Sequence, residues 1–264
     1  TPDTSLFYGV QVGEGGLEIA HNQGQVIGNV YANGTSFGSG EVTGSITVAG
    51  DGNSLQDLDI GEDAFVFSCS DANIDGDLIY NENGSSNCSV GGSTSTQADS
   101  FDQIDFPINE ETVNQWKNDA ALGGTLSGNQ TISSNQTLGP IKIDGDLYIS
   151  NNTTVTITGN VWVTGTFNAG NNAIVQLDES YGENSGVFIA DGNVDLDNNV
   201  IMRGTSNSDS FLIVIGNSTS QSESNAAMDV KNNLDGAILF TPNGIMVLHN
   251  NVDIVEAMAH KLLI

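Results

Sequence analysis

Apolar and polar positions alternate along this chain in short runs, each opening at a glycine and closing at a polar turn. GNVYANG (28–34), GSITVAG (44–50), GDLIY (76–80), GDLYISNN (145–152) and GNVWVTG (159–165) are variants of one unit. Period-two alternation marks a strand with one face inward. A strand-and-turn unit returning every ~14–20 residues cannot bury its apolar face alone and must stack on its neighbours, which predicts a solenoid. In the stretch from Thr1 to about Ser89, Gly28, Gly44, Gly61 and Gly76 lie 16, 17 and 15 residues apart, the spacing of regular coils.

The same reading assigns faces. In IKIDGDLYIS, Ile141, Ile143, Leu147 and Ile149 share the inward parity. Asp144, Asp146 and Tyr148 then share one outward face if the strand runs on through Gly145. In TTVTITGNVWVTG, Val155, Ile157, Val161 and Val163 point inward, with Thr154, Thr156, Thr158 and Trp162 outward. Asn-Asn pairs begin at 151, 171, 198, 232 and 250. Asn tolerates the left-handed region, so these pairs mark turns, and stacked Asn side chains at such corners can form ladders.

FLIVIG (211–216), AILF (237–240), IMVL (245–248) and KLLI (261–264) break the alternation by being apolar on both parities. Such strands are covered on both faces, by another layer or by a neighbouring molecule. The second option makes Leu212, Val214, Leu239, Met246, Leu248 and Leu262 an assembly interface.

One helix stands out, at 109–121. Asn109 precedes acidic Glu110 and Glu111, which suit the positive end of the helix dipole. Val113, Trp116 and Ala120 form one apolar stripe, and Gly123-Gly124 ends it. The helix is expected to cap the solenoid or to space two halves of it. Residues 90–100 (VGGSTSTQADS) read as a polar linker. The expected organisation is an N-terminal solenoid segment (1–89), a linker plus capping helix (90–124) and a C-terminal solenoid segment (125–264). The fold class is all-β, a right-handed parallel β-helix with one short helix, its hand taken from the crossover rule.

Composition narrows the partners. Five Lys plus Arg face 33 Asp plus Glu among 264 residues, a formal charge of -28. That field repels nucleic acid and anionic membrane and favours cations or plain solubility. Cys69 and Cys88, with no His nearby, suit a disulfide rather than zinc and place the chain in an oxidising, extracellular compartment. Closing a loop of that length adds roughly 3 kcal/mol in the chain-entropy model. Asn-x-Ser/Thr sequons at Asn33, Asn83, Asn87, Asn129, Asn135, Asn151, Asn152 and Asn217 follow from composition. No membrane span is evident, and Thr1 is not an initiator residue, which suggests a removed export segment or anchor.

Catalytic signatures are sparse. Hydrolase chemistry needs facing carboxylates, for which Asp191, Asp195 and Asp197, with Asp144 and Asp146, are candidates. Arg203 is the single arginine, so lyase chemistry lacks a ready base. His21, His249 and His260 sit in unrelated contexts, and no nucleophile elbow or phosphate loop occurs. The chain is read as no enzyme and as requiring no cofactor. Calcium is the one cofactor its turns suit: Asp-Gly-Asp and Asp-Gly-Asn turns put oxygen donors around glycine, with Asp144, Asp146, Asp191 and Asp195 as the metal candidates. Tyr148 and Trp162 are candidates for stacking on sugars.

FYGVQVGEGGLEIAHNQGQVIGNVYANG (7–34), DFPINEETVNQWKNDAALGG, LGPIKIDGDLYISNNTTVTITGNVWVTGT and AILFTPNGIMVLHNNVDI resemble segments of PilX-type, pilus-associated surface proteins, and shade into bactofilin-like polymerising solenoids. The resemblance touches most of the chain and rests on structural repeats. It implies an exported, anchored or assembled β-helical surface protein. The chain departs from it in lacking an apolar N-terminal helix. The expected function is therefore structural: an extracellular, cell-surface filament subunit or pilus-associated stalk that self-associates through solenoid ends or apolar C-terminal coils. The alternative is a carbohydrate-binding adhesin with calcium-held turns, followed by a polysaccharide lyase or hydrolase.

Overall fold

The computed structural model describes residues 8–21 and 24–264. Thr1, on which the expectation of a removed export segment rests, lies outside them. Among the described residues the chain is a parallel β-solenoid with one α-helix. It forms two compact units, one of residues 1–107 with 258–264 and one of residues 108–257. This differs from the expected three-part division: residues 90–107 belong to the first unit, the helix to the second, and the last residues to the first.

Each coil of the first unit contributes short strands to three parallel ladders. One carries Val10–Ile19, Val30–Ala32, Ile46–Val48, Ala64–Val66, Leu78–Asn81 and Thr94–Gln97. The corners are built by glycine. Gly44 donates to Gly28 O (3.1 Å), Glu62 to Gly44 O (3.3 Å), Gly76 to Glu62 O (3.0 Å) and Gly92 to Gly76 O (2.9 Å). The column therefore runs through Glu62, one position beyond the Gly61 that the spacing suggested. Residues 90–100 are not the expected linker: Thr94–Gln97 is a ladder strand, and residues 98–107 strap the outer face, crossing coil after coil. Gly50 donates to Phe101 O (2.9 Å), Tyr31 Oη to Asp102 O (2.5 Å) and Gln11 Nε2 to Asp105 O (3.1 Å). Asn33 both donates to Ile104 O (2.7 Å) and accepts from Ile104 N (3.1 Å), so the amide of this sequon is already occupied. Cys69 and Cys88 form the expected disulfide. In the returning segment, Ile264 donates to Glu18 O (2.9 Å) and Lys261 pairs with Glu18 (2.9 Å).

The second unit repeats the plan. Its first ladder runs Thr125–Ser127, Ile141–Asp144, Val161–Val163, Gly186–Ala190, Leu212–Gly216 and Ile238–Leu248. Its second runs Gln130–Ile132, Leu147–Ile149, Phe167–Ala169, Val194–Leu196, Met228–Val230 and again Ile238–Leu248. Its third runs Gln136–Leu138, Thr154–Ile157, Ile174–Leu177 and Ile201–Arg203. Of the residues the alternation assigned inward, Ile143, Leu147, Ile149, Val155, Ile157, Val161 and Val163 are buried, and Ile141 is half-buried. Phe167 and Phe188 meet in the core, ring centroids 4.2 Å apart.

Leu212, Val214, Leu239, Met246, Leu248 and Leu262 are also buried within the chain itself. They are therefore not an exposed assembly surface. Val214, for example, stacks between Phe188 and Leu239 on the inward parity. The opposite parity of these strands, Ile189, Ile215 and Phe240, is buried as well, which accounts for their being apolar on both faces.

The helix, α1 (Glu110–Leu122), starts one residue later than expected. Asn109 Oδ1 caps it by accepting from Thr112 N (2.9 Å), and Val113 and Ala120 are its buried positions. It lies against the strands Ile141–Asp144 and Val161–Val163, on the side of the solenoid rather than over an end.

The Asn-Asn pairs form two continuous ladders. In one file, Asn172, Asn199, Asn233 and Asn251 each donate to the Asn one coil below, beginning at Asn152, at 3.1, 3.0, 2.8 and 3.2 Å. In the other, Asn198, Asn232 and Asn250 do the same from Asn171, at 3.0, 2.8 and 3.1 Å. All five members of the first file have positive φ, between 56° and 61°. Asn is the residue that meets both demands, left-handed backbone and a side chain that both donates and accepts. Asn199→Ala is therefore expected to cost about 2 kcal/mol, and Asn199→Gly about half of that, since glycine removes the ladder contacts without backbone strain. Urea melts of the two variants separate these contributions; equal effects would assign everything to the side chain.

Candidate functional site

Outward residues of the second unit are placed by coil register. Lys142, Trp162, Ile189, Ile215 and Phe240 form one file on the first ladder. Trp162 is held under α1. Its indole N–H donates to Asp191 Oδ2 (2.8 Å), Lys142 Nζ lies 4.5 Å from the ring centroid, and Lys117 Nζ from the helix lies 5.7 Å away. Lys117 also pairs with Asp191 Oδ1 at 2.5 Å. Cation–π contact and an indole hydrogen bond thus dock the helix onto the sheet. Beside this anchor, Glu110, Asn114, Asn217, Phe240, Pro242 and Asn243 help to line a cavity of about 350 Å³.

Tyr148, 39% exposed, lies on the second ladder. The two aromatics proposed for sugar stacking are therefore on different faces. The chain does not continue straight from Asp144 to Tyr148 because the strand ends at Asp144 and turns at Gly145. That corner is crowded: a Cβ at Gly145 would lie 2.6 Å from the carbonyl carbon of Gly128.

The four metal candidates are likewise separated, and most already have partners. Asp146 Oδ1 accepts from Thr166 N (2.9 Å) and Oδ2 from Asn129 Nδ2 (3.0 Å), tying its coil to both neighbours. Asp191 is occupied by Lys117 and Trp162. Asp144 accepts from Thr164 Oγ1 (3.4 Å) with Lys142 nearby (3.7 Å). Asp77, in another Asp-Gly-Asp turn, plays the role of Asp146 by accepting from Ser93 N (2.7 Å), and that backbone bond holds its carboxyl below the usual range. Acids after corner glycines thus serve as coil-to-coil caps. Among the described residues no group of three or more His, Cys, Asp and Glu side chains is arranged to hold a metal.

Asp195 belongs to a cluster of titratable side chains built from successive coils. It is the register partner of Asn168 on one side and Asp229 on the other. Asp229 accepts from Lys231 Nζ at 2.6 Å and lies 3.0 Å from His249 Nε2. Burial raises the Asp195 pKa, the charge of Asp229 adds to the rise, and Lys231 opposes it. Asn168 Oδ1 is buried and without a partner. Chemically, this face offers one carboxylate held by the Lys231 ammonium and the His249 imidazole beside a second carboxyl biased towards protonation. Sequence reasoning missed Asp229, and with it the grouping of Asp195 with Lys231 and His249, because Asp195 and Asp229 are 34 positions apart. Aligning the coils on their Asn-Asn pairs would have found them: VDLDNN, MDVKNN and MVLHNN share that frame.

The fold defines the chain as a disulfide-bonded parallel β-solenoid protein. Comparison with protein-family models, with curated proteins and with solved structures returns no match. No helix among the described residues is long and apolar enough to cross a membrane.

Proposed function

We propose that this chain is an extracellular structural protein, a subunit of a surface filament or of a pilus-associated stalk. The observation that carries this reading is the pair of asparagine ladders running beside three parallel backbone ladders. Together they spend the corner side chains on coil-to-coil bonds rather than on a binding site. The Asp146 and Asp77 caps and the 98–107 strap follow the same logic. The disulfide supports an oxidising compartment, and the resemblance to pilus-associated and polymer-forming solenoids agrees with such a role.

Electron microscopy of the purified protein at neutral pH, with and without calcium, tests this. Ordered fibres with an axial repeat near one subunit's length are expected. Particles that stay dispersed at high concentration and turn over members of a polysaccharide panel would overturn the structural reading in favour of the Asp195–Asp229 face as a catalytic site.

A further inference from the structure

Each unit carries one conspicuous open edge. In the first, Thr94–Gln97 ends its ladder and pairs, among the described residues, with Leu78–Asn81 alone. In the second, Thr125–Ser127, Gln130–Ile132 and Gln136–Leu138 make up a first coil that pairs only with the coil after it. Leu78 N donates to Ser93 O (2.9 Å), so by the alternation of a parallel ladder the amides of Thr94 and Thr96 face the unpaired side. In the same way Gln130 N donates to Asp146 O (2.8 Å), which leaves the Thr131 amide facing outward from its edge.

Three features set these edges apart. First, residues 83–98 and 120–141 contain no Asp, Glu, Lys, Arg or His, in a chain whose formal charge is -28. Other charge-free runs, such as 147–177, lie in coils whose strands are already paired on both sides; at these two edges the absence of charge, and so of like-charge repulsion between copies, coincides with unpaired backbone amides. Second, neither edge has the usual protection by lysine, proline or a covering element. Third, the ends of the core are open. Leu126, in register with buried Ile143, is 43% exposed, and half-buried Leu138 is in register with buried Ile157.

The two edges are also complementary in sense. One is the last coil of a parallel series and the other is the first, so laying the second on the first continues the parallel direction. Resting on the structural reading above, we infer that copies of this chain join head to tail, the Thr94–Gln97 edge of one receiving the 125–138 coil of the next. The contact is heterologous, the kind that propagates into a filament rather than closing as a two-fold dimer. Main-chain hydrogen bonds form the joint, and Leu126 and Leu138 become covered.

Thr96→Pro and Thr131→Pro test this in the full chain. Each removes an amide that faces the free side and spares the internal ladder, a placement proline tolerates on edge strands. Thr96→Lys and Thr131→Lys serve the same purpose if either proline variant melts differently from the parent. Sedimentation velocity across a concentration series should show the parent growing into oligomers and each single variant staying monomeric. An equimolar mixture of the two variants should give one dimer and nothing longer, because each retains the edge the other lacks. Variants that polymerise like the parent would overturn the joint while leaving the filament reading intact. A parent that polymerises while the mixture stays monomeric would place the contact elsewhere. A parent that remains monomeric at every concentration would refute self-assembly itself. If instead the parent's edges are claimed by another solenoid protein, the mixture gives no dimer, and head-to-tail joining of copies fails.

Discussion

Val214→Asp is expected to unfold the second unit, with a loss of more than about 4 kcal/mol. Val214 is fully buried, in register between Phe188 and Leu239. A carboxylate there has no partner and no water, and the coils on either side lose an apolar contact each. The same substitution at Val255, which is 40% exposed, should change stability by no more than about 0.5 kcal/mol. Chemical denaturation followed by circular dichroism separates the two. A Val214→Asp protein that keeps the parent's fold and loses only self-association would restore the C-terminal strands as an interface.

Glu256 provides the second large effect. It is 3% exposed, its Oε2 has no hydrogen-bond partner, and burial pushes its pKa up to about 7 from an ordinary 4.5. The folded state therefore holds a proton that the unfolded chain has released. Below pH 4.5 both states are protonated and the carboxyl exacts no ionisation penalty. As pH rises through the window up to about 7, stability is lost progressively, and above it the loss stays constant. The full penalty is about 3 kcal/mol. Glu256→Gln is accordingly expected to match the parent near pH 4 and to exceed it by up to about 3 kcal/mol at pH 8. Urea midpoints of both proteins across that range check it; a difference that does not vary with pH would show that Glu256 does not titrate in this way.

The carboxylates illustrate how differently one residue type is used here. Asp77 and Asp146 lie at corners where a backbone amide from the next coil reaches them, so both act as caps, and in Asp77 that bond favours the anion. Asp195 faces another acid across a coil boundary and is partly buried, which biases it towards protonation. Both kinds follow short glycine- or asparagine-marked turns, and their sequence contexts look alike. What separates them is which coil lies opposite. The same holds for Trp162, whose alternation correctly puts it outward, and whose exposure is then taken away by α1 and the Lys117–Asp191 pair.

The sequence by itself determined the repeated strand, its inward face, the helix with its Asn109 cap, the disulfide and the Asn-Asn corners. Each of these is local: period two, a capping residue, a left-handed turn or a pair of thiols is written within a few positions. Only the tertiary structure decided the register of one coil on the next. Coils here differ in length, so Gly44 stacks under Glu62 rather than Gly61, and Asp195 meets Asp229 across 34 positions. Tertiary structure also decided what covers an outward face. Residues 90–100 read as a linker because their composition is polar and of low complexity, yet Thr94–Gln97 within them is a ladder strand and 98–107 are a strap. The strap holds the first unit through backbone carbonyls of Phe101, Asp102, Ile104 and Asp105, groups every residue possesses. The doubly apolar C-terminal strands were read correctly as buried on both sides, but burial inside the chain and burial against a neighbour leave the same mark on a sequence. Hydrophobic transfer depends on water being excluded and not on what excludes it.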